Sequence, residues 1–244
     1  MRDKKDYCMK YTVFIADLHL TSDTPNVLEA LVNLAKELTP EATALYILGD
    51  FFALWAGDDE PTEFNAQVIA ILKQIAQKTK VYLMPGNRDF LLGKDFASQS
   101  NCTLLKDPTK IYLYGRPTIL SHGDRLCKDN LSMYCFRLLS QNKLAKKIFL
   151  LLPFSLRMRL ANFIHKYSTR KIKVENWDIS MEKARRWLNK YNSSQIIHGH
   201  IHQTKTDSFM LNNQTMRRFS LQDWENTPNA LIYYENGSYY NKII

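Results

Sequence analysis

Five short apolar runs in this chain each stop, within a residue or two, at side chains that bind cations or phosphates. Leu45-Tyr-Ile-Leu48 ends at Gly49 and Asp50, Thr12 to Ala16 delivers Asp17 and His19, and Lys80 to Met84 delivers Asn87, Arg88 and Asp89. Pro117 to Ser121 delivers His122 and Asp124, and Gln195 to Ile197 delivers His198, His200 and His202. Apolar runs without alternation read as strands buried on both faces, as in a parallel sheet covered by helices. Such strands have their carboxyl ends on one edge, where open α/β sheets bind their ligands. The five ends are therefore expected to converge.

The segments between the runs suit crossover helices. Thr24 to Leu38 carries Val27, Leu28, Leu31, Leu34, Ala35 and Leu38 at helical spacing, with Thr24 placed to cap and Pro25 in the first turn. Phe64 to Lys78 repeats the pattern with Val68, Ile71, Leu72 and Ile75. The first 90 residues thus read β, α, β, α, β, an α/β chain. At 244 residues and 45% hydrophobic, it can build one substantial core, or one core with a small insertion. The polar start, Met1 to Lys10, and the shortness of Val13 to Ala16 predict a cytosolic chain without a targeting segment. Cys8, Cys102, Cys127 and Cys135 show no metal or redox spacing and read as reduced thiols.

A net charge of +9 implies an anionic partner, and its distribution is uneven. From Arg125 to Glu175 twelve Lys and Arg residues face only Asp129 and Glu175. Woven among them are Leu138, Ile148, Phe149, Leu152, Phe154, Leu156, Leu160, Phe163 and Ile164, and Pro153 should break the run into two helices. The apolar stretch is about half the ~18 residues needed to span a bilayer. A basic amphipathic pair of this kind can lie on a membrane surface or hold acyl chains. It enters directly after the His122 strand end, so it would cover the converging donors. Residues 176 to 192 read as the helix returning to the core, and Ala230 to Tyr234 as a strand before an Asn236-Gly237 turn. In the loop after Asp50, Trp55 beside Gly57, Asp58 and Asp59 is a candidate apolar wall for a ligand.

Asp17, His19, Asp50, Asn87, His122, His200 and His202 form a mixed nitrogen and oxygen donor set. It suits two borderline divalent cations such as manganese or zinc. No cysteine takes part, which argues against a structural thiolate site.

Asp17-x-His19, Gly49-Asp50, Gly86-Asn87, His122 and Gly199-His200-x-His202, in that order, resemble the signatures of the calcineurin-like metallophosphoesterases. The resemblance implies an α/β sandwich of two sheets flanked by helices, with a core over residues 1–124 and 191–244 and a helical cap inserted at 125–190. It implies two divalent ions, manganese, one held by Asp17, His19, Asp50 and His202 and the other by Asp50, Asn87, His122 and His200. Asp50 would bridge them, His198 would sit behind the ligands, and His165 would lie on the surface. Catalysis would rest on Asp50, Asn87, Arg88 and His122.

Within that family Phe14 to Leu20, Leu45 to Asp50, Trp55 to Asp59, Gly86 to Gly93 and His122 to Cys127 resemble one branch. Its members cleave the pyrophosphate of an acylated UDP-sugar, UDP-2,3-diacylglucosamine, in lipid A synthesis. The resemblance implies UMP and 2,3-diacylglucosamine 1-phosphate as products, formed by hydroxide attack at the metals. It also implies a peripheral place on the cytoplasmic face of the inner membrane, with membrane contact and no nucleic-acid partner. Arg88 stands where the wider family usually has histidine. Arginine keeps its proton near neutral pH, so no general acid comes from this position. A phosphate monoester with a second pKa near ~6 leaves without one. The rival reading of Arg88 is an ion pair with Asp89. Substrate contacts are expected from Asn87, Arg88, His200, Trp55, Asn130 and Ser168, with Lys171 and Lys173 both candidates for the headgroup phosphate. Asn130 departs from the acidic residue usual there. Two other functions fit parts of the pattern: a soluble phosphodiesterase or phosphatase of the same family, and a membrane-surface binding protein with an idle site.

Overall fold

The computed structural model describes residues 9–59, 62–127, 138, 140, 142–171 (side chains to 164), 178–225 and 227–244. The opening β, α, β, α, β appears as β1 (Tyr11–Ile15), α1 (Pro25–Glu37), β2 (Ala42–Leu48), α2 (Glu63–Lys78) and β3 (Lys80–Met84). A short α3 (Lys94–Ser100) and β4 (Thr103–Leu104) follow, then the antiparallel pair β5 (Thr109–Leu113) and β6 (Arg116–Ser121). After α4 (Lys143–Leu150), α5 (Phe154–Lys171) and α6 (Met181–Lys190) come β7 (Gln195–His198), β8 (Lys205–Leu211), β9 (Gln214–Ser220), β10 (Asn229–Tyr234) and β11 (Tyr239–Ile243).

The motif-bearing strands do not share one sheet. β1, β2 and β3 lie parallel in a six-stranded sheet of order β11-β10-β1-β2-β3-β4, whereas β6 and β7 lie parallel in a five-stranded sheet of order β5-β6-β7-β9-β8. The runs are apolar on both faces for a reason that periodicity alone does not distinguish. One face meets helices and the other meets the opposite sheet. In β1, Val13 and Ile15 pack with Leu31 and Leu34 of α1 and Val68, Leu72 and Ile75 of α2, while Phe14 between them packs with Leu120, Ile197 and Phe219 of the second sheet. Ile119 and Ile196 on the outer face of that sheet meet Ala184 and Leu188 of α6. The result is a helix, sheet, sheet, helix sandwich, the architecture expected from the family resemblance.

Local details follow sequence chemistry with one departure. Pro25 begins α1, but the Thr24 hydroxyl donates to the Thr21 carbonyl at 2.9 Å instead of capping the helix. The preceding turn has taken the group that the helix would have used. Thr62 does cap α2, accepting from the Asn65 N–H. Pro153 separates α4 from α5, as its fixed φ and missing N–H require. No helix among the described residues is long and apolar enough to cross a membrane.

Candidate metal centre

The donors meet where strand ends from both sheets abut. Within each sheet backbone hydrogen bonds continue past the strand ends, from Asp17 N–H to the Gly49 carbonyl (3.1 Å), His19 N–H to the Asp50 carbonyl (3.0 Å) and Gly199 N–H to the His122 carbonyl (2.8 Å), and between the sheets His200 N–H donates to Asp17 Oδ2 (2.7 Å). Asp17, His19, Asp50, His200 and His202 all have positive φ, between 48° and 72°. Residues with side chains seldom occupy that region, and each one held there costs about 1–3 kcal/mol. Such strain persists where the surroundings impose it. Here it turns five side chains inward from the tips of strands. Gly86 allows close approach, because a Cβ there would collide with the Asp50 carboxylate.

Two triads result, Asp17 with His19 and His202, and Asp50 with His122 and His200, each with its ligand atoms within 4.8 Å of one another. Asp50 lies between them, Oδ2 3.6 Å from His19 Nε2 and Oδ1 3.6 Å from His122 Nε2. Asn87 joins the second group, its Oδ1 2.9 Å from His122 Nε2, and His200 Nδ1 lies 3.1 Å from the same nitrogen. His202 Nε2 stands 3.7 Å from Asp17 Oδ1.

The electrostatics of this pocket suit cations. Burial, reinforced by the Asp50 charge, pushes the Asp17 carboxyl up to about 7. Burial lowers His122, and the carboxylates of Asp50 and Asp17 more than reverse that, to about 9. Burial and the neighbouring His19 push His202 down to about 4. Asp17 Oδ1 and His19 Nε2 are buried without a hydrogen-bond partner, whereas buried polar atoms in proteins are satisfied as a rule. Divalent cations between the triads would give both atoms a partner and hold the carboxylates ionised and the imidazoles neutral.

Arg88 faces the same space, its backbone N–H donating to Asp50 Oδ1 at 2.9 Å and its side-chain Nε 3.4 Å from Asp50 Oδ2. The ion pair with Asp89 does not account for it. Asp89 is fully buried and accepts from the backbone of Gly86, Phe51 and Phe52. Trp55 is a correction to its reading as a ligand wall. It is 3% exposed, stacked 4.5 Å from Phe52 and edge-on to Phe96, with its indole N–H on Asp58. Aromatic neighbours on either side of the loop drew it into the core. His198 lies buried behind the ligands, Nδ1 2.8 Å from the Gly199 carbonyl. Of the other contacts expected from sequence, Asn130, Lys173 and the side chains of Ser168 and Lys171 lie outside the described residues, as does the side chain of His165, expected on the surface.

Two carboxylates that the sequence reading passed over reach the first triad from outside. Glu225 Oε1 is 3.3 Å from His19 Nδ1, and Asp223 Oδ2 is 3.6 Å from His202 Nδ1. Carboxylates so placed orient imidazoles whose other nitrogen binds a metal. The available signal was a sixth apolar strand end, Phe219 to Leu221, followed by Asp223.

A family profile described as calcineurin-like phosphoesterase matches residues 11–204. A UDP-2,3-diacylglucosamine hydrolase of Coxiella burnetii (strain Dugway 5J108-111) is 36% identical, over 95% of this chain and 96% of its own. One of Pseudomonas aeruginosa (strain UCBPP-PA14) is 38% identical, over 92% and 95%. Among solved structures, an archaeal phosphodiesterase superposes with a TM-score of 0.51, covering 96% of this chain and 99% of its own at 12% identity, a likeness of fold alone.

Proposed function

This chain belongs to the calcineurin-like phosphoesterase family, and from that membership we propose that it hydrolyses the pyrophosphate of UDP-2,3-diacylglucosamine. The products are UMP and 2,3-diacylglucosamine 1-phosphate, a step of lipid A synthesis. The observation that carries this reading is the pair of triads joined at Asp50 beside Arg88, in a chain aligned almost end to end with enzymes of that name. Asp17, His19, Asp50 and His202 would hold one divalent ion, and Asp50, Asn87, His122 and His200 the other, with manganese the ion for this donor set. Bound there, the pair supplies Lewis-acid polarisation of phosphoryl oxygens and lowers the pKa of water.

The chain's own residues do the rest. Asp50 offers one oxygen to each side. Arg88 grips a phosphate oxygen with a fixed cation and stabilises charge growing on the phosphoryl group. The site has no need of a general acid there, because the leaving group is a phosphate. Asn87 and His200 border the same space and contact the substrate from the metal side. Asn130, Ser168, Lys171 and Lys173 are our candidates for the sugar phosphate.

We assign α4 and α5, within the inserted residues 125–190, to a cap over the core, while α6 at the end of the insertion packs on the second sheet. Leu144, Ile148, Leu160 and Phe163 of the cap helices, and Leu151 between them, are exposed, beside exposed Lys143, Lys147 and Arg159. Apolar surface edged with cations matches a substrate with two acyl chains and anionic phosphates. It also suits peripheral contact with the cytoplasmic face of an anionic membrane. The deciding experiment is a product assay with manganese and the acylated nucleotide sugar. UMP release that disappears in Asn87→Ala supports the reading; UDP release, or none, overturns it.

A further inference from the structure

The α4 and α5 part of the cap touches the core sparingly. No residue of α4 is buried, although Phe149 packs against the main core. In α5 the side chains of Leu156, Leu160, Phe163 and Ile164 are exposed. Arg157, among them, is 1% exposed. Its Nη1 donates to the Ala56 carbonyl at 2.7 Å, its Nη2 is paired with the Asp59 carboxylate, and its guanidinium lies over the Phe154 ring at 5.3 Å. Gly57 beside it has a φ of +141°, which side chains rarely adopt, and a Cβ there would meet Nη1 and the Asp59 carboxylate, so glycine suits the loop to the guanidinium. The Asp59 carboxyl is held below its usual range, chiefly by that hydrogen bond.

Burying a guanidinium is costly, and a leucine would pack at this place more cheaply. A guanidinium adds direction, since two rigid N–H vectors fix the helix against the loop. That loop continues to the catalytic rim. Trp55, just before it, donates its backbone N–H to the Arg88 carbonyl at 3.3 Å. Asp58, within it, accepts from the backbone of Gly93, Asp95 and Phe96 at the start of α3. From α4, Lys146 Nζ donates to the Phe90 carbonyl at 2.6 Å. Arg157 and Lys146 of the cap thus hold backbone on the loop after Asp50 and on the loop that carries Arg88.

We propose that Arg157 is a positioning residue that locks the cap in register with Arg88, so that binding energy from the acyl chains is used at the pyrophosphate. This rests on the acylated substrate argued above. Remote binding energy speeds a reaction only when the remote part is held rigidly to the reacting centre.

The test compares wild type with Arg157→Met and Asp59→Asn, all loaded with manganese, on two UDP-diacylglucosamines with long and short chains. In wild type, kcat/KM rises with chain length. In Arg157→Met that rise shrinks at least tenfold, while kcat/KM on the short-chain substrate changes less than threefold and bound manganese is unchanged. Asp59→Asn moves the same way by a smaller factor; its side chain is 62% exposed, so it folds even if Arg157→Met does not. Amide exchange is the second readout: residues 55–59 and 143–157 accelerate together in both variants. An unchanged chain-length ratio, an equal loss on both substrates, or faster exchange in 143–157 without 55–59 overturns the proposal. If wild type releases no UMP from either substrate, the functional reading fails, and the exchange experiment still decides the lock.

Discussion

Asp50 has two oxygens and both are committed, one toward each triad, in a backbone conformation that its neighbours impose. Asp50→Ala should therefore abolish hydrolysis and reduce bound manganese below two per chain, measured by metal analysis after desalting. Arg88 is the opposite case, a group beside the metals but outside both triads. Arg88→Met should keep both ions and lower kcat by ~10²–10³-fold, the loss of about 3 kcal/mol typical when one preorganised charge donor is removed. At this scale the sequence was legible wherever chemistry sits at a strand end. Asp17, His19, Asn87 and His122 announce themselves because nothing apolar can follow those strands and still line a polar rim. Trp55 was not legible, since an indole on a loop is equally at home against a ligand or, as here, between Phe52 and Phe96.

Among the elements, the chain returning from α5 is secured to the second sheet by one buried cation. Arg218 of β9 is 1% exposed and pairs with Asp178 at 2.6 Å and with Asp207 of β8. Burial raises the Asp178 carboxyl, but hydrogen bonds from Arg218 and Lys205 outweigh it and bring it to about 2. A carboxyl depressed on folding stabilises above its unfolded pKa, and that contribution is lost as pH falls from about 4 toward 2. Asp178 is partly exposed and Asp207 remains as a partner, so Asp178→Asn should cost about 1 kcal/mol at pH 7 in denaturant melts. That cost should fade below pH 3. The α4 and α5 faces carry a different prediction. Ile148→Asp with Phe163→Asp should weaken sedimentation with anionic vesicles while the melting temperature holds, because both side chains are exposed. The interleaved apolar and basic residues and the break at Pro153 made these helices readable, whereas nothing in them marked Arg157 as different from its exposed neighbours.

For the molecule as a whole, the metal centre is also a joint between the two sheets. Asp17 and Asp50 come from one sheet, His122 and His200 from the other, and stripping the cations would leave buried carboxylates and imidazoles facing each other across the seam. Chelation should lower the melting temperature as well as abolish activity. Manganese at a thousand times its dissociation constant would restore about 4 kcal/mol per independent site. By itself, the sequence determined that Asp17, His19, Asp50, His122, His200 and His202 end strands and converge, because apolar runs alternating with crossover helices leave one edge for polar groups. It also determined that a basic, apolar helical pair follows the His122 strand. Only the tertiary structure decided that the strands divide between two sheets, since a residue buried against a helix and one buried against a second sheet have the same apolar character. It alone chose Arg157 to bind the cap to the rim and Asp223 and Glu225 to steady the histidines, because pairing between distant segments depends on directions in space that residue types do not encode.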